Sequence, residues 1–428
     1  MSEPTLVWRR YGLKDNPYTL RPITIGQENL PLSSFVGRTD EVNELISLFS
    51  LGSGSILVIG DSGVGKTSLV NFVRSKAIKG RFFSTRNEIE LNYSMSGQEF
   101  IITTLSAICR ELEFLKSDGR EIILSEETIS YLKKIQEISI EISKEQNKSI
   151  VAMDYNKLKD LFLKVMDELI NPRFKGAIIH YDNIDNVENF ELLSSMFGEI
   201  RDLLLAPKVI FIFVGNEFLP HYVSNRRRVR DVFRFPPLEV TQLKLNEIKD
   251  ILQKRVEYLR CDDSIDVITP HTDEVLDTLF EIHTGNLRGM LNSLSTAVVG
   301  TAYSNEPIKI DNTILKEKLL QKLNKSYLSG LTAAEKEILK KILESKLSRF
   351  TPTDVSQITK KGLTNLSSKY LPKLRLKTAI ELIGKEGRNV YYRLAPEVLW
   401  WNLEKIKEVK KQPIQGIDKS LKEFFTSP

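Results

Sequence analysis

At 428 residues, 41% hydrophobic and 27% charged, the chain has the composition of an ordinary folded protein long enough for two or three domains. No apolar run approaches the length of a membrane span, MSEPTLVWRR lacks the apolar core of a secretion signal, and Cys109 and Cys261 lie far apart as reduced core residues do, so membrane and disulfide-stapled classes are excluded and a cytoplasmic setting is expected. The net charge of +5 is divided unevenly: residues 331–428 hold 20 Lys and Arg against 11 Asp and Glu, a net of +9, which leaves residues 1–330 at −4.

Residues 1–34, with WRRYGLKDNPYTLRPI mixing Pro, Gly and Asn among aromatics, read as an arm packed on the following domain. Behind the cap candidates Thr39 and Asp40, Val42, Leu45, Ile46, Leu48 and Phe49 recur at helical spacing. Next comes SILVIGDSGVGKTS, residues 55–68, where Gly60, four further residues, and then Gly65, Lys66 and Thr67 make a complete P-loop. The run Ile56 to Ile59 predicts a buried strand, and the glycines let successive N–H groups turn inward onto phosphate oxygens. Lys66 reaches the β and γ phosphates in this reading, Thr67 offers its hydroxyl to Mg²⁺, and a helix from Thr67 to about Lys76 aims its positive end at the same phosphates. Gly60, Asp61, Ser62, Gly63, Val64, Gly65, Lys66, Thr67 and Ser68 are accordingly assigned to the nucleotide.

Glu88 to Tyr93 alternates as a second strand, and helices are expected over 98–116, 126–146 and 155–170. The middle one carries an apolar stripe of Ile129, Leu132, Ile135, Ile138 and Ile142, read as core or as an oligomer contact. In GAIIHYDNIDN, residues 176–186, Ala177 to Tyr181 is an apolar strand with Asp182 at its carboxyl end, the position for an acid that holds Mg²⁺ through water. Asn183 and, two residues on, Asp185 follow it. A third strand, Val209 to Val214, ends in Gly215 and the polar Asn216; a cluster of Arg226, Arg227, Arg228 and Arg230 precedes VFRFPPL. From Thr241 the pattern is wholly helical, through Gly285-Asn286-Leu287-Arg288.

The C-terminal piece opens after a hinge near Ser326 to Gly330. Thr332 with Glu335 forms a capping box, TPTDVSQIT is a short second helix, TNLSSKYLPKL a third, and ELIGKEGRNVYYRLAP alternates on both sides of Gly384 to Gly387 as a two-stranded wing does. Three helices and a hairpin in this order predict a winged helix-turn-helix, with Pro372 kinking or ending its third helix. Between Asp354 and Glu381 stand Lys360, Lys361, Lys369, Lys373, Arg375 and Lys377 with no acid, and Lys385 and Arg388 extend the basic face onto the wing. Duplex DNA, through its phosphates, is the partner that face suits; winged helices also serve as protein-contact modules.

From Phe35 to about Trp401 these motifs, in this order, resemble those of AAA+ ATPases of the origin-recognition type and their archaeal and STAND relatives. Phe35-Val36-Gly37-Arg38 looks like the box that precedes the P-loop there, which implies that Val36 and Gly37 help enclose the adenine. The resemblance further implies that Asn216 is the sensor that contacts the γ phosphate or the water, that Arg227 or Arg228 is a finger completing a neighbouring subunit's site in a homo-oligomer, and that Arg288 is the lid's sensor. Asn183 departs from that family's usual Glu, and since an amide cannot act as a base, the resemblance implies that Asp185 or another group substitutes, or that hydrolysis is slow. The expected fold is α/β, a P-loop NTPase of the AAA+/ASCE class with a parallel sheet over 35–238, a helical lid over 239–328 and a winged helix-turn-helix over 329–428. The expected function is an ATP- and Mg²⁺-dependent switch on duplex DNA, nucleoid-associated in the cytoplasm, of initiator, helicase-loader or transposition-regulator type. The alternative is a STAND-like signalling ATPase whose winged helix holds a protein partner.

Overall fold

The computed structural model describes residues 6–405, apart from 27–29, 51, 92–94, 121, 145–152, 172, 185–189, 225–226, 263–265 and 305. Six strands form one sheet: β1 (Gly54–Ile59), β2 (Phe82–Ser84), β3 (Ile89–Glu90), β4 (Gly176–Asp182), β5 (Val209–Gly215) and β6 (Phe233–Glu239). Their order is β2-β4-β5-β1-β6, with β3 also paired to β4, and every pairing is parallel. β4 and β5 are buried along their whole length, as strands covered on both faces must be, which is why their sequences read as unbroken apolar runs. Of the second strand expected over 88–93, Ile89–Glu90 form β3 and pair with β4, residues 92–93 lie outside the described ones, and a further short strand, β2, precedes it.

Helices cover both faces. Thr39–Phe49 and the P-loop helix Lys66–Lys79 bury Val42, Leu45, Leu69, Val70 and Val73 against Val58, Ile178, Ile210 and Ile212. On the opposite face Gly97–Ser117, Glu126–Lys144 and Tyr155–Ile170 pack over Tyr181, Phe211 and Phe213. Their starts follow from sequence: Ser96 and Glu99 close a capping box, and Asp154 accepts from the N–H groups of Asn156 and Lys157. Leu132 and Ile135 of the expected stripe are buried there and Ile138 and Ile142 partly so, while Ile129 is exposed.

Beyond β6 lie the helices Leu245–Tyr258, Asp273–His283, Leu287–Val299 and Asn312–Lys322, the last continuing as a π turn to Leu328. Then come Ala333–Ser345, Pro352–Thr359 and a helical run over residues 363–376, followed by the antiparallel hairpin β7 (Ile380–Glu386) and β8 (Asn389–Leu394). Pro372 does not end the third helix. A π turn over Leu366–Tyr370 precedes it, widening the ladder where the proline ring would meet the carbonyl four residues back. One apolar cluster joins Leu294, Leu315 and Leu328 to Ile338, Phe350 and Trp400, and it also takes in Trp8, Tyr11, Leu13 and Tyr18 of the arm. The arm therefore packs on the helices after β6, with Lys14 N–H donating to the Leu259 carbonyl (2.7 Å).

The hairpin sits at the carboxyl end of β5. Gly384 lies against the Phe218 ring so closely that a Cβ would be 2.4 Å from it, and Phe218 and Tyr391 have centroids 5.3 Å apart. The Tyr222 hydroxyl donates to the Lys385 carbonyl (2.9 Å) and accepts from its N–H (3.1 Å), while Arg349 pairs with Glu217 at 2.6 Å. A register shift between Leu382 and Gly384 bends β7 toward this contact.

Candidate nucleotide-binding site

The cleft lies where the P-loop, the carboxyl end of β4 and the start of the helix Leu287–Val299 meet. Gly60, Gly63 and Gly65 have φ of 148°, 86° and 97°, values that let this loop curl between β1 and its helix. Gly63, Gly65, Lys66, Thr67, Asp182, Asn183 and Arg288 line the cleft. Lys66 is buried, and its Nζ donates to the carbonyls of Gly60 (2.9 Å) and Asp61 (2.8 Å). The Thr67 hydroxyl donates to Asp182 Oδ2 at 2.7 Å, although the two residues are 115 apart in sequence. Burial pushes the Asp182 carboxyl up from its ordinary range, and the Thr67 hydrogen bond draws it partly back. A hydroxyl and a carboxylate converging beside a P-loop lysine form a hard-oxygen donor pair that fits Mg²⁺ carried with a nucleotide.

The lid motif closes over this loop. Asn286 accepts from Gly289 N–H (3.0 Å), so starting the helix, and its Nδ2 donates to the Ser62 carbonyl (2.7 Å). Arg288 Nη1 donates to Ser62 Oγ at 3.2 Å. Gly63 allows this approach, since a Cβ there would be 2.5 Å from Arg288 Cβ.

Other expected residues are placed differently. Val36 and Gly37 are not among the residues lining the cleft; Val36 packs with the arm and lid, and Gly37 lies against Glu247. Arg38 instead fastens that box to the loop, donating from Nη2 to the carbonyls of Val64 and Thr241, both at 2.7 Å. Asn216 ends β5, between β1 and β4, but its Nδ2 donates to the Ile383 carbonyl of the hairpin (2.6 Å) and its Oδ1 accepts from Phe218 N–H (2.9 Å). Arg227 and Arg228 are exposed on the short helix Arg227–Arg230 before β6, away from the cleft. Asp185 lies outside the described residues. On the basic face Lys360, Lys369, Lys373, Arg375, Lys385 and Arg388 are exposed. Lys361 and Lys377 are paired with Glu337 (3.8 Å) and Glu335 (2.9 Å), acids of the preceding helix that a count restricted to 354–381 does not see.

Two contributions to the cleft had no motif to announce them. Thr19, Leu20, Arg21 and Pro22 of the arm line it, anchored by Asn71 Nδ2 donating to the Ile23 carbonyl (3.1 Å). Arg255 lines it too: buried, with Nη1 donating to the carbonyls of Pro17 and Thr19, its Nε has no partner among the described residues, and burial lowers its pKa to about 10. The arm's mixture of Pro and aromatics was the only sequence signal for this.

Residues 34–207 match a family model described as AAA ATPase domain. No curated protein matches the chain. Among solved structures, the chain is similar to the Aeropyrum pernix ORC2 protein, with 16% identity over 92% of this chain and 96% of that one and a TM-score of 0.49. It is also similar to Aeropyrum pernix ORC1 in complex with DNA (13% identity, 88% and 94% covered, TM-score 0.45). A third is the Walker-type ATPase PABY2304 of Pyrococcus abyssi (15%, 91% and 99%, 0.45). Lys66, Thr67 and Asp182 of the cleft fall inside the span that matches the AAA ATPase domain model.

Proposed function

We propose that the chain is an ATP-binding and slowly ATP-hydrolysing AAA+ switch that binds duplex DNA through its C-terminal helices and hairpin. The observation that carries the first half is the convergence of Lys66, Thr67, Asp182 and Arg288 on one cleft. Lys66 holds the β and γ phosphates, the P-loop N–H groups cradle them, and Arg288 joins them from the lid. Thr67 and Asp182 hold Mg²⁺, which when bound offsets phosphate charge. Arg227 or Arg228 reaches the site of a neighbouring copy in a homo-oligomer. The second half is supported by the exposed cations Lys360, Lys369, Lys373, Arg375, Lys385 and Arg388. The alternative, a STAND-like signalling ATPase whose C-terminal element holds a protein partner, draws its support from the hairpin's bonds to Tyr222 and Asn216 within this chain. Initiation, helicase loading and transposition control share this chemistry.

Lys66→Ala is expected to weaken ATP binding roughly 30- to 150-fold, the loss of about 2–3 kcal/mol of charge-assisted hydrogen bonding. Equilibrium titration with a fluorescent ATP analogue measures it, and unchanged affinity would defeat the nucleotide assignment. Anisotropy of labelled duplex DNA with ATP, with ADP and with neither, across a salt series, tests the rest. A steep salt slope and dependence on nucleotide are expected; weak binding indifferent to nucleotide transfers the C-terminal element to a protein partner.

A further inference from the structure

Asn183 follows Asp182 where hydrolysis calls for a carboxylate, and its backbone is left-handed, with φ of 55°. A carboxylate nevertheless stands beside Asp182, on the neighbouring strand. β3 pairs with β4 in the register Ile89 to Tyr181 and Glu90 to Asp182. Directly paired residues of parallel strands project to the same face, with the strands about 4.8 Å apart. Ile89 and Tyr181 both enter the core on the far face. Glu90 therefore shares with Asp182 the face turned toward the P-loop helix, the face on which Thr67 bonds Asp182 and Arg74 Nη1 donates to His180 Nδ1 (3.1 Å). Glu90 sits in the last row of its strand, exposed, with no side-chain hydrogen bond or ion pair among the described residues. Glu88, two residues earlier and just before β3, lies near the buried Arg74, and its Oε2 is buried without a hydrogen-bond partner among the described residues. Of the two, Glu90 is the one paired with Asp182, which lines the cleft.

We infer that Glu90 is the catalytic base of ATP hydrolysis, standing on the strand next to Asp182 in place of a carboxylate at position 183. The inference rests on the ATPase reading above. In the step, the water oxygen forms a bond to the γ phosphorus as that phosphorus parts from the β–γ bridging oxygen. The bridging oxygen keeps the electron pair and leaves with ADP. One water proton passes to a Glu90 carboxylate oxygen and then to solvent; the other hydrogen stays on the phosphate.

The experiment compares the full chain with E90Q, E90D and E88Q, measuring ATP affinity by displacement of a fluorescent analogue and hydrolysis by single-turnover quench. E90Q is expected to slow hydrolysis 10²- to 10⁴-fold, the range for a general base, with ATP affinity within about threefold of the parent. E90D, which keeps the carboxylate one methylene back, is expected to fall between parent and E90Q, and E88Q to keep most of the rate. Hydrolysis by E90Q within threefold of the parent while ATP still binds overturns the assignment, as does loss in E88Q alone. A parent chain that binds ATP but never hydrolyses it overturns Glu90 only; a parent that binds no ATP defeats the ATPase reading itself. If E90Q misfolds, a parent-like rate in E90D's carboxylate-free counterpart E90A overturns the assignment equally.

Discussion

Gly60→Ala is expected to cost about 4 kcal/mol of stability and to remove ATP binding. Two penalties meet at this residue. Its φ of 148° is one that side chains rarely adopt, a strain of order 1–3 kcal/mol. A Cβ would also stand 2.3 Å from the Val240 carbonyl oxygen, and overpacking of this kind costs about 1–3 kcal/mol. That oxygen cannot retreat cheaply, because Val240 N–H donates to the Ile59 carbonyl (2.8 Å), where β6 hands over beside β1. Whatever moves is the first residue of the phosphate loop. Gly65 is the control: its φ is 97°, but nothing lies within 4 Å of a Cβ there, so Gly65→Ala is expected to bear only the left-handed backbone cost of roughly 1–2 kcal/mol. Urea denaturation separates them, and equal midpoints for the two variants would contradict the close approach at Val240.

Lowering the pH from 7.5 to 5.5 is expected to remove about 4 kcal/mol of stability. His180, His271 and His283 are buried, and burial holds the first well below its ordinary value, the second at about 4 and the third at about 3. A histidine whose folded pKa is depressed favours folding above its unfolded value near 6.5, and that contribution is lost as pH falls toward the folded value. Each imidazole loses about 1.4 kcal/mol per pH unit within that window. The hydrogen bonds agree. Ser293 Oγ donates to the Gly289 carbonyl and accepts from Trp400 Nε1, so His283 Nε2 must donate to it, and His283 Nδ1 is left buried without a partner. Arg74 donates to His180 Nδ1, which admits no proton there. Asp182 and Glu397, pushed up by burial, act with the opposite sign, but their ordinary range starts about two units lower, so the imidazoles set the slope. Urea midpoints taken across this range test it, and a flat profile would contradict neutral buried rings. His283 ends the helix Asp273–His283 and His271, just before that helix, bridges to Ile310, so the region after β6 should loosen first.

Much of the site was legible because its chemistry is local. The P-loop is a strand, a turn and a helix start within 14 residues of one another, and each needs particular residues at fixed spacing. Asp182 was legible from its place after an apolar run, and Asn286-Leu287-Arg288 from a helix start. Helix boundaries at Ser96, Asp154, Thr332 and Thr351 were written by side chains that cap their own backbone.

What could not be read depends on pairs distant in sequence. Thr67 and Asp182 were each assigned to a metal, but their 2.7 Å contact exists because β5, inserted between β1 and β4, sets the spacing of the two carboxyl ends. Glu90 is one of many glutamates in the chain, and only the register of a parallel pairing, which leaves no mark on either strand's own sequence, sets it beside Asp182. The arm's residues 19–22 over the cleft, the hairpin carbonyl on Asn216, and Glu335 and Glu337 on the basic face are likewise contacts across tens to hundreds of residues. The sequence by itself determined the presence of a P-loop and of an acid ending the apolar strand β4, since backbone turns and strand ends obey local sterics. The tertiary structure alone decided which charges face that cradle, because strand order and register are settled by burying whole apolar faces and not by the polar residues carried along with them.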